Sequence, residues 1–354
     1  MNRVLVTGGA GFIGSCIVDQ LVERGVDVIV LDNLSRSAHS STPDYLNPVA
    51  TYIWGDVRNG TAWRAALDGV DAVCHQAGKV GLGVDFGDAA EYVDDNDVGW
   101  VLGLGALHEC GFTGRIVLAS SMVVYGEGRY RCSVDGVVRP GPRLHTDLDA
   151  GQFEPRCPNC DGVLTAEPIP EDAPLEPRNV YAATKLHQEH LTAAFAREHD
   201  VTAGWLRYHN VYGPRMPQNT PYAGVASIFR SALERNESPL VTEDGQQRRD
   251  FVHVSDVARA NVIALLGANA VKGPVNIGSG MPHSVLDMAE ALAAAMGRRD
   301  GTPGWPRVTG AYRLGDVRHV FASTNRAVQL MMNPAMSFED GMREFAEARL
   351  RDAV

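Results

Sequence analysis

The stretch VTGGAGFIG, residues 6–14, constrains the fold more than any other part of the chain. It sets Gly8, Gly11 and Gly14 between a short apolar run, RVLVTG, and an amphipathic segment, FIGSCIVDQLVERG. A second β-like run, VDVIVLD, follows and ends in Asp32. Strand, glycine turn, helix and strand in that order make a βαβ unit. Its glycines permit a tight turn and let the backbone approach a pyrophosphate at the helix N-terminus. Without a ligand the same residues make only a tight β–α turn. With one, Gly8, Gly11, Phe12, Ile13 and Gly14 are the first candidates to touch a dinucleotide. Asp32, with Asn33 beside it, is placed to accept hydrogen bonds from the adenosine ribose. The carboxylate repels a 2′-phosphate and so favours NAD over NADP, while Arg36 leaves some use of NADP open.

The α/β alternation continues. ATYIWGD, VDAVCHQAG and GRIVLASS read as strands, TAWRAALDG as a short helix, and AEYVDDNDVGWVLGLGALHECG as a long one. Apolar β runs separated by amphipathic helices predict a doubly wound, Rossmann-type parallel sheet. Asp56 and Val57 follow the third strand, where an adenine edge would be read, although Asp56 also suits a helix cap. Gln76 and Ala77 follow the fourth, at the expected run of the cofactor. Residues 127–178 break the rhythm with Pro, Gly, Arg and three cysteines. The pattern resumes with a helix over 179–198 and a strand in VTAGWLRYHNVYG. We expect an NAD-binding domain over 1–213, carrying the insertion 127–178. A smaller, mixed substrate-binding region over 214–354 follows, some of whose elements return to the first domain.

Composition limits the partners. With 354 residues, 45% hydrophobic, the chain can bury an ample core. A net charge of −11 disfavours bulk nucleic-acid binding. No apolar run reaches the length of a membrane span, and MNRVLVTGG has no signal-peptide pattern, so a cytoplasmic location is expected. Cys16, Cys74 and Cys110 sit in apolar stretches and read as buried thiols.

NVYAATKLHQEH places Tyr181 and Lys185 four apart in a helix, hence on one face. An ammonium beside a phenol favours the phenolate and readies it as a base toward an alcohol. An exposed Tyr with a solvated Lys is the plain alternative.

Glycine loop, Asp32, a serine near the end of a later strand and YxxxK, in this order, resemble the extended short-chain dehydrogenase/reductases, in particular their nucleotide-sugar epimerase/dehydratase branch. TGGAGFIG, HQAG, SSMVVYGEG, YAATK, LRYHNVYGPR, RRDFVHVSDVARA, NIGSG and RLGDVRH carry the resemblance over nearly the whole chain. It implies catalytic roles for Ser121, Tyr181 and Lys185, with Tyr181 and Lys185 also touching a tightly bound NAD. Ser120, on the opposite strand face, reads as structural. The branch's 4,6-dehydratases follow the catalytic hydroxyl with an Asp-Glu pair, where this chain has Met122 and Val123. Neither moves a proton. The implied reaction is therefore oxidation at C4 and return of hydride to the other face, a 4-epimerisation through a 4-keto sugar. Arg249 and Arg313 match the branch's diphosphate arginines, and Asn210 its substrate asparagine. Ser121 also faces the sugar, and Lys79 joins the substrate candidates. His209 stands where relatives usually have an aromatic residue, and His75 reads equally as a core residue.

The insertion holds Cys157-Pro-Asn-Cys160, a CxxC knuckle. With Cys132, and with Asp135 or His145 as fourth ligand, it suggests a structural zinc. Free thiols or a redox CxxC are the alternatives. The insert before EDAPLEPRNVYAATK is similar to that of the dTDP-L-rhamnose 4-epimerase group, which implies a dTDP-6-deoxyhexose as substrate. A UDP-sugar 4-epimerase, or a net nucleotide-sugar oxidoreductase or decarboxylase, is the alternative. The resemblance further implies a homodimer formed through helices 89–110 and 179–198.

Overall fold

The computed structural model describes residues 2–81, 86–218, 224–313 and 315–352. Seven parallel strands form the main sheet: β1 (Arg3–Thr7), β2 (Asp27–Asp32), β3 (Thr51–Trp54), β4 (Ala72–His75), β5 (Arg115–Ser121), β6 (Thr202–Tyr208) and β7 (Gly273–Ile277). Their spatial order is β3-β2-β1-β4-β5-β6-β7. Strand order reverses between β1 and β4, and ligands of such sheets bind at the carboxyl ends beside that switch. Thr7, Asp32, His75 and Ser121 all terminate strands there.

The central strands are buried on both faces, and their alternate side chains feed two cores. Val4, Val6, Val28 and Val30 pack with Ile17, Val18 and Leu21 of α1 (Phe12–Val22) and with Val257, Val262 and Leu265 of the helix Val254–Leu266. Leu5, Ile29, Leu31 and Val73 face the other way. They meet Trp63 of α2 (Gly60–Ala66), Trp100 and Leu107 of α3 (Gly99–Glu109), and Phe195 of α4 (Val180–His199). A third core joins Tyr212, Phe229, Met288, Leu292 and Phe345 in the C-terminal region. A small mixed sheet there pairs Asn210–Tyr212 with Arg248–His253 and Pro282–Ser284.

Several sequence expectations change in detail. The long helix after β4 is not uniform: Ala89–Tyr92 is α-helical, Val93–Val98 forms a π-helical turn, and Gly99–Glu109 is α-helical again. The wider turn lies at Asn96, which is fully buried and whose side chain and carbonyl are all bonded outside the helix. VTAGWLRYHNVYG is two strands in two sheets, with His209 between them giving its N–H to Ile277 O at 3.0 Å. Asp56 does not cap α2. Asn59 does, accepting the Thr61 N–H at 2.9 Å. Cys74 is buried as expected, Cys16 is only half-buried and Cys110 is exposed. The insertion folds on the outside as a three-stranded antiparallel sheet, Gly136–Val138, Arg129–Cys132 and Thr165–Glu167, with a short helix His145–Asp149.

Candidate active site

The glycine loop is built from close backbone approaches. Gly8 has φ +67, and a Cβ there would lie 2.7 Å from Ala77 N. A Cβ on Gly14 would lie 2.1 Å from Gly8 O. Side chains are thereby kept out of the space over β1 and β4. Helix α1 starts at Gly11 with no side-chain cap and no acid in its first turn, so the positive end of its dipole is left for an anion. Phe12 leans toward the C-terminal core and Ile13 toward the sheet core.

Asp32 is buried and braces this loop, accepting Ala10 N–H at 3.0 Å and Leu34 N–H at 2.8 Å. Burial raises its carboxyl above the ordinary value, against the pull of those N–H groups. Asn33 donates to Asp56 at 3.0 Å. Arg58 grips Asp56 at 2.7 and 3.0 Å and holds its carboxyl down at about 2. Val57 packs over Gly99, and its carbonyl receives Trp63 Nε1 at 2.8 Å. Gln76 is fixed by Tyr208, Asn261 and Cys74, and Ala77 N–H reaches Thr7 Oγ1 at 3.2 Å.

Tyr181 and Lys185 stand on the first turns of α4, capped by Asn179, which accepts Ala182 N–H at 2.8 Å. Tyr181 lies near the Ser121 hydroxyl, which opposes the rise of its pKa, and its ring lies 6.0 Å from that of Tyr92. The expectation of a phenol made acidic by its ammonium neighbour is not met in this arrangement. Burial pushes Tyr181 up to about 12, with only the Ser121 hydroxyl opposing. Lys185 Nζ is turned to Ala119 O and Gln188 Oε1, both at 3.1 Å, and burial lowers it to about 8 against the pull of Asp97 and Glu189. Desolvation outweighs the pairwise attraction here.

Ser120 points away from Ser121 and donates to Glu189, which holds Arg207 at 2.7 and 2.9 Å. Met122 and Val123 lie half-buried in the turn after β5. His75 is a core residue: it is fully buried, bonded to Thr7 Oγ1 at 2.8 Å and stacked on Trp100 at 4.2 Å. Lys79 pairs with Glu91 and lies over the Tyr92 ring at 5.3 Å.

On the sugar side, Asn210 Oδ1 is buried with no hydrogen-bond partner among the described residues. Arg249 is not in a surface ion pair. Its guanidinium donates to the carbonyls of Arg248 at 2.8 Å, Arg318 at 2.9 Å and Val317 at 2.7 Å. Arg313 is exposed on the turn that leads to Asp316. Burial lowers the pKa of His209, against the pull of Asp250, and keeps its ring neutral at pH 7. The structure thus brings Ser121, Tyr181 and Lys185 together beside the glycine loop. His145 is drawn away from the cysteines, its Nδ1 lying 3.3 Å from Tyr312 OH.

Three residues escaped the sequence reading. Asn96 ties the loop after β4 to α4: it accepts Lys79 N–H at 2.7 Å and donates to Thr184 Oγ1 at 3.0 Å. Glu189, one helical turn beyond Lys185, was signalled only by the helical period. Arg351 had no signal at all. It comes from the far end of the chain, with Nη1 3.8 Å from where a Cβ on Gly11 would stand. Its Nε and Nη1 are buried without hydrogen-bond partners.

The profile of the NAD dependent epimerase/dehydratase family matches residues 4–142 and 161–278. The chain belongs to that family. A dTDP-L-rhamnose 4-epimerase of Burkholderia thailandensis is 35% identical over 97% of this chain and 93% of its own. A UDP-glucose 4-epimerase of Thermotoga maritima, solved with UDP-glucose, superposes with a TM-score of 0.78 at 28% identity, covering 98% of this chain and 97% of that one. The UDP-glucose 4-epimerase of Thermus thermophilus, solved with NAD, gives 0.74 at 28% identity, with 98% of both chains covered. An epimerase/dehydratase built on this sheet holds its dinucleotide over the glycine loop, and the bare, uncapped loop described above fits that demand. Among the described residues no helix is long and apolar enough to cross a membrane.

Proposed function

We infer that the chain is an NAD-dependent isomerase that epimerises a nucleotide-activated sugar at C4. The observation that carries this reading is the placing of Tyr181 and Lys185 against the end of the strand that bears Ser121, with Lys185 Nζ on Ala119 O at 3.1 Å, next to a Met122–Val123 pair that cannot eliminate water. NAD, when bound, would supply the hydride acceptor and donor for C4 and a positive charge near the phenol. The rest falls to side chains. Tyr181, once ionised by the charge that bound NAD would add, takes the C4 hydroxyl proton and later gives it back. Ser121 bonds the reacting oxygen and passes its proton to Tyr181. Lys185, kept dry by Ala119 and Gln188, supplies the local positive field. The loop Gly8, Gly11, Phe12, Ile13 and Gly14 would hold the dinucleotide's diphosphate, with Arg351 as an added phosphate contact. Asp32 and Asn33 would hold its ribose, Asp56 and Val57 its adenine, and Gln76 and Ala77 the chain between.

On the substrate side Arg249 has no carboxylate within ion-pair distance among the described residues, and a phosphate would complete it. Arg313 would swing in from solvent. Asn210, with its buried oxygen, and Lys79 would orient the sugar, while Arg249 and Arg313 come from the region 214–354. Exposed Val93, Val98 and Val101 on one of the two expected dimer helices support self-association through it.

The base and sugar have two supported readings. UDP-hexoses are the substrates named for the superposing Thermotoga enzyme and its Thermus counterpart. A dTDP-6-deoxyhexose is the substrate of the Burkholderia relative. The wider support lies with UDP-sugars. The test is incubation of the purified chain with dTDP-L-rhamnose, UDP-glucose and UDP-N-acetylglucosamine, with product stereochemistry read by NMR. Inversion at C4 of one of them without net change in NADH supports the reading. Stoichiometric NAD(P)H consumption, CO2 release or no turnover overturns it.

A further inference from the structure

Residues 143–160 fall between the two stretches matched by the family profile, and the insertion around them carries a cluster that the sugar chemistry does not use. Two turns of the same form meet there. Cys132-Ser-Val-Asp135-Gly136 joins the antiparallel strands Arg129–Cys132 and Gly136–Val138. Cys157-Pro-Asn-Cys160-Asp161-Gly162 is closed by the antiparallel bridge Arg156–Val163. Each runs Cys-x-x-ligand and then turns through a positive φ, +72 at Gly136 and +59 at Asp161. Val134 N–H donates to Cys132 Sγ at 3.4 Å. In the second turn Asp161 N–H closes on Cys157 O at 2.9 Å. Asp135 therefore occupies in the first turn the place that Cys160 occupies in the second.

The two tips face each other. Cys132 Sγ is 3.4 Å from Cys160 Sγ and 3.4 Å from Asp135 Oδ2, and Cys157 Sγ is 3.1 Å from Asp135 Oδ2. All four ligand atoms lie within 4.8 Å of one another. A tetrahedral zinc with Zn–S of about 2.3 Å and Zn–O of about 2.0–2.2 Å sets its ligand atoms roughly 3.5–3.8 Å apart. The three separations given above meet this after adjustments of about half an ångström or less, and the remaining ones, all within 4.8 Å, after about one ångström at most. A disulfide would need sulfurs at about 2.05 Å, and it would leave a third thiol and a carboxylate in the cluster unexplained. We propose that Cys132, Asp135, Cys157 and Cys160 form a tetrahedral site for one structural Zn2+.

The placement gives the metal a task. The insertion has little core of its own, namely Tyr130, Cys132, Cys157 and Leu164. Glu154, three residues before the CxxC, binds Arg318 at 2.9 and 2.6 Å and His319 at 2.9 Å. Arg143 donates to Asp316 O at 2.7 Å. Segment 316–319 supplies the carbonyls on which Arg249 rests. Zinc thus pins the insertion against the backbone that aims Arg249. This second step rests on the phosphate role proposed for Arg249, whereas metal binding does not.

The test uses the full chain purified under reducing conditions. Elemental analysis should find one zinc per chain. Cobalt exchanged into the site should show thiolate charge-transfer bands with a tetrahedral d–d spectrum. Cys157→Ser should lose the metal, Asp135→Ala should release it to a chelator faster, and Asp135→Cys should hold it more tightly. Zinc-supplemented protein without metal, an iron–sulfur spectrum, a Cys132–Cys160 disulfide, or equal retention in Asp135→Ala and Cys157→Ser would each overturn the site. If Cys157→Ser does not fold, the Asp135→Cys comparison decides. With the site established, stripping zinc should raise KM for the nucleotide sugar severalfold and leave NAD retention intact. An unchanged KM would overturn the link to Arg249 and leave the metal site standing.

Discussion

Replacing Glu189 by Gln should destabilise the chain by about 3–5 kcal/mol, the usual cost of stripping one partner from a buried ion pair. Arg207 and Glu189 are 3% and 4% exposed, and they meet through Nε–Oε1 at 2.9 Å and Nη2–Oε2 at 2.7 Å. Gln preserves volume but sets an amide NH2 against a guanidinium NH2, and it leaves the cation with only neutral partners, Tyr125 OH at 3.0 Å and Glu171 O at 2.9 Å. Water cannot compensate at that depth. With a urea slope of about 3 kcal/mol/M, the midpoint should fall by roughly 1 M or more. Equilibrium unfolding followed by tryptophan fluorescence reads this directly. Arg207→Met combined with Glu189→Leu should cost less than Glu189→Gln alone, because both charges leave together. A cost below about 1 kcal/mol for Glu189→Gln, or simple additivity in the double variant, would refute the argument.

Gly14→Ala forces a Cβ to 2.1 Å from Gly8 O and should abolish NAD retention on a desalting column. Tyr181→Phe should keep NAD and substrate binding and lose turnover, measured by NMR, and substantial residual turnover would remove Tyr181 from the chemistry. The phenol, raised to about 12, stays protonated well below that value. Ultraviolet difference titration of NAD-free wild type against Tyr181→Phe should therefore show no phenolate between pH 7 and 9. Arg249→Lys has only three N–H donors and cannot bond the three carbonyls and a phosphate together. It should raise KM by about tenfold or more, for one charged hydrogen bond of about 1.5–3 kcal/mol, with kcat far less affected.

The sheet was readable because each strand is a short apolar run and each helix shows its period, and because Gly8 and Gly14 are demanded by backbone contacts that no other residue tolerates. That Ser121, Tyr181 and Lys185 would come together was readable from their order and spacing. What spacing cannot supply is solvent. The pKa of Tyr181 was misjudged because an i, i+4 pair gives neither burial nor the direction of Nζ, which turns to Ala119 and Gln188. Asn96 and Arg351 were missed for a related reason: their roles lie in contacts with Thr184 and Gly11, far away in sequence. The choice of Asp135 over His145 likewise depended on which turn the fold carries to the cysteines.

Strand β7 enters the sheet only after the chain has visited the sugar-side sheet, yet its whole length pairs with β6, from Gly204–Gly273 to Tyr208–Ile277. A fragment ending near residue 213 would leave β6 as a bare, apolar outer strand, open to pairing with any neighbouring chain. The cofactor half therefore cannot be excised as a working module, and attempts to graft a new sugar-binding half onto it will have to carry β7 along.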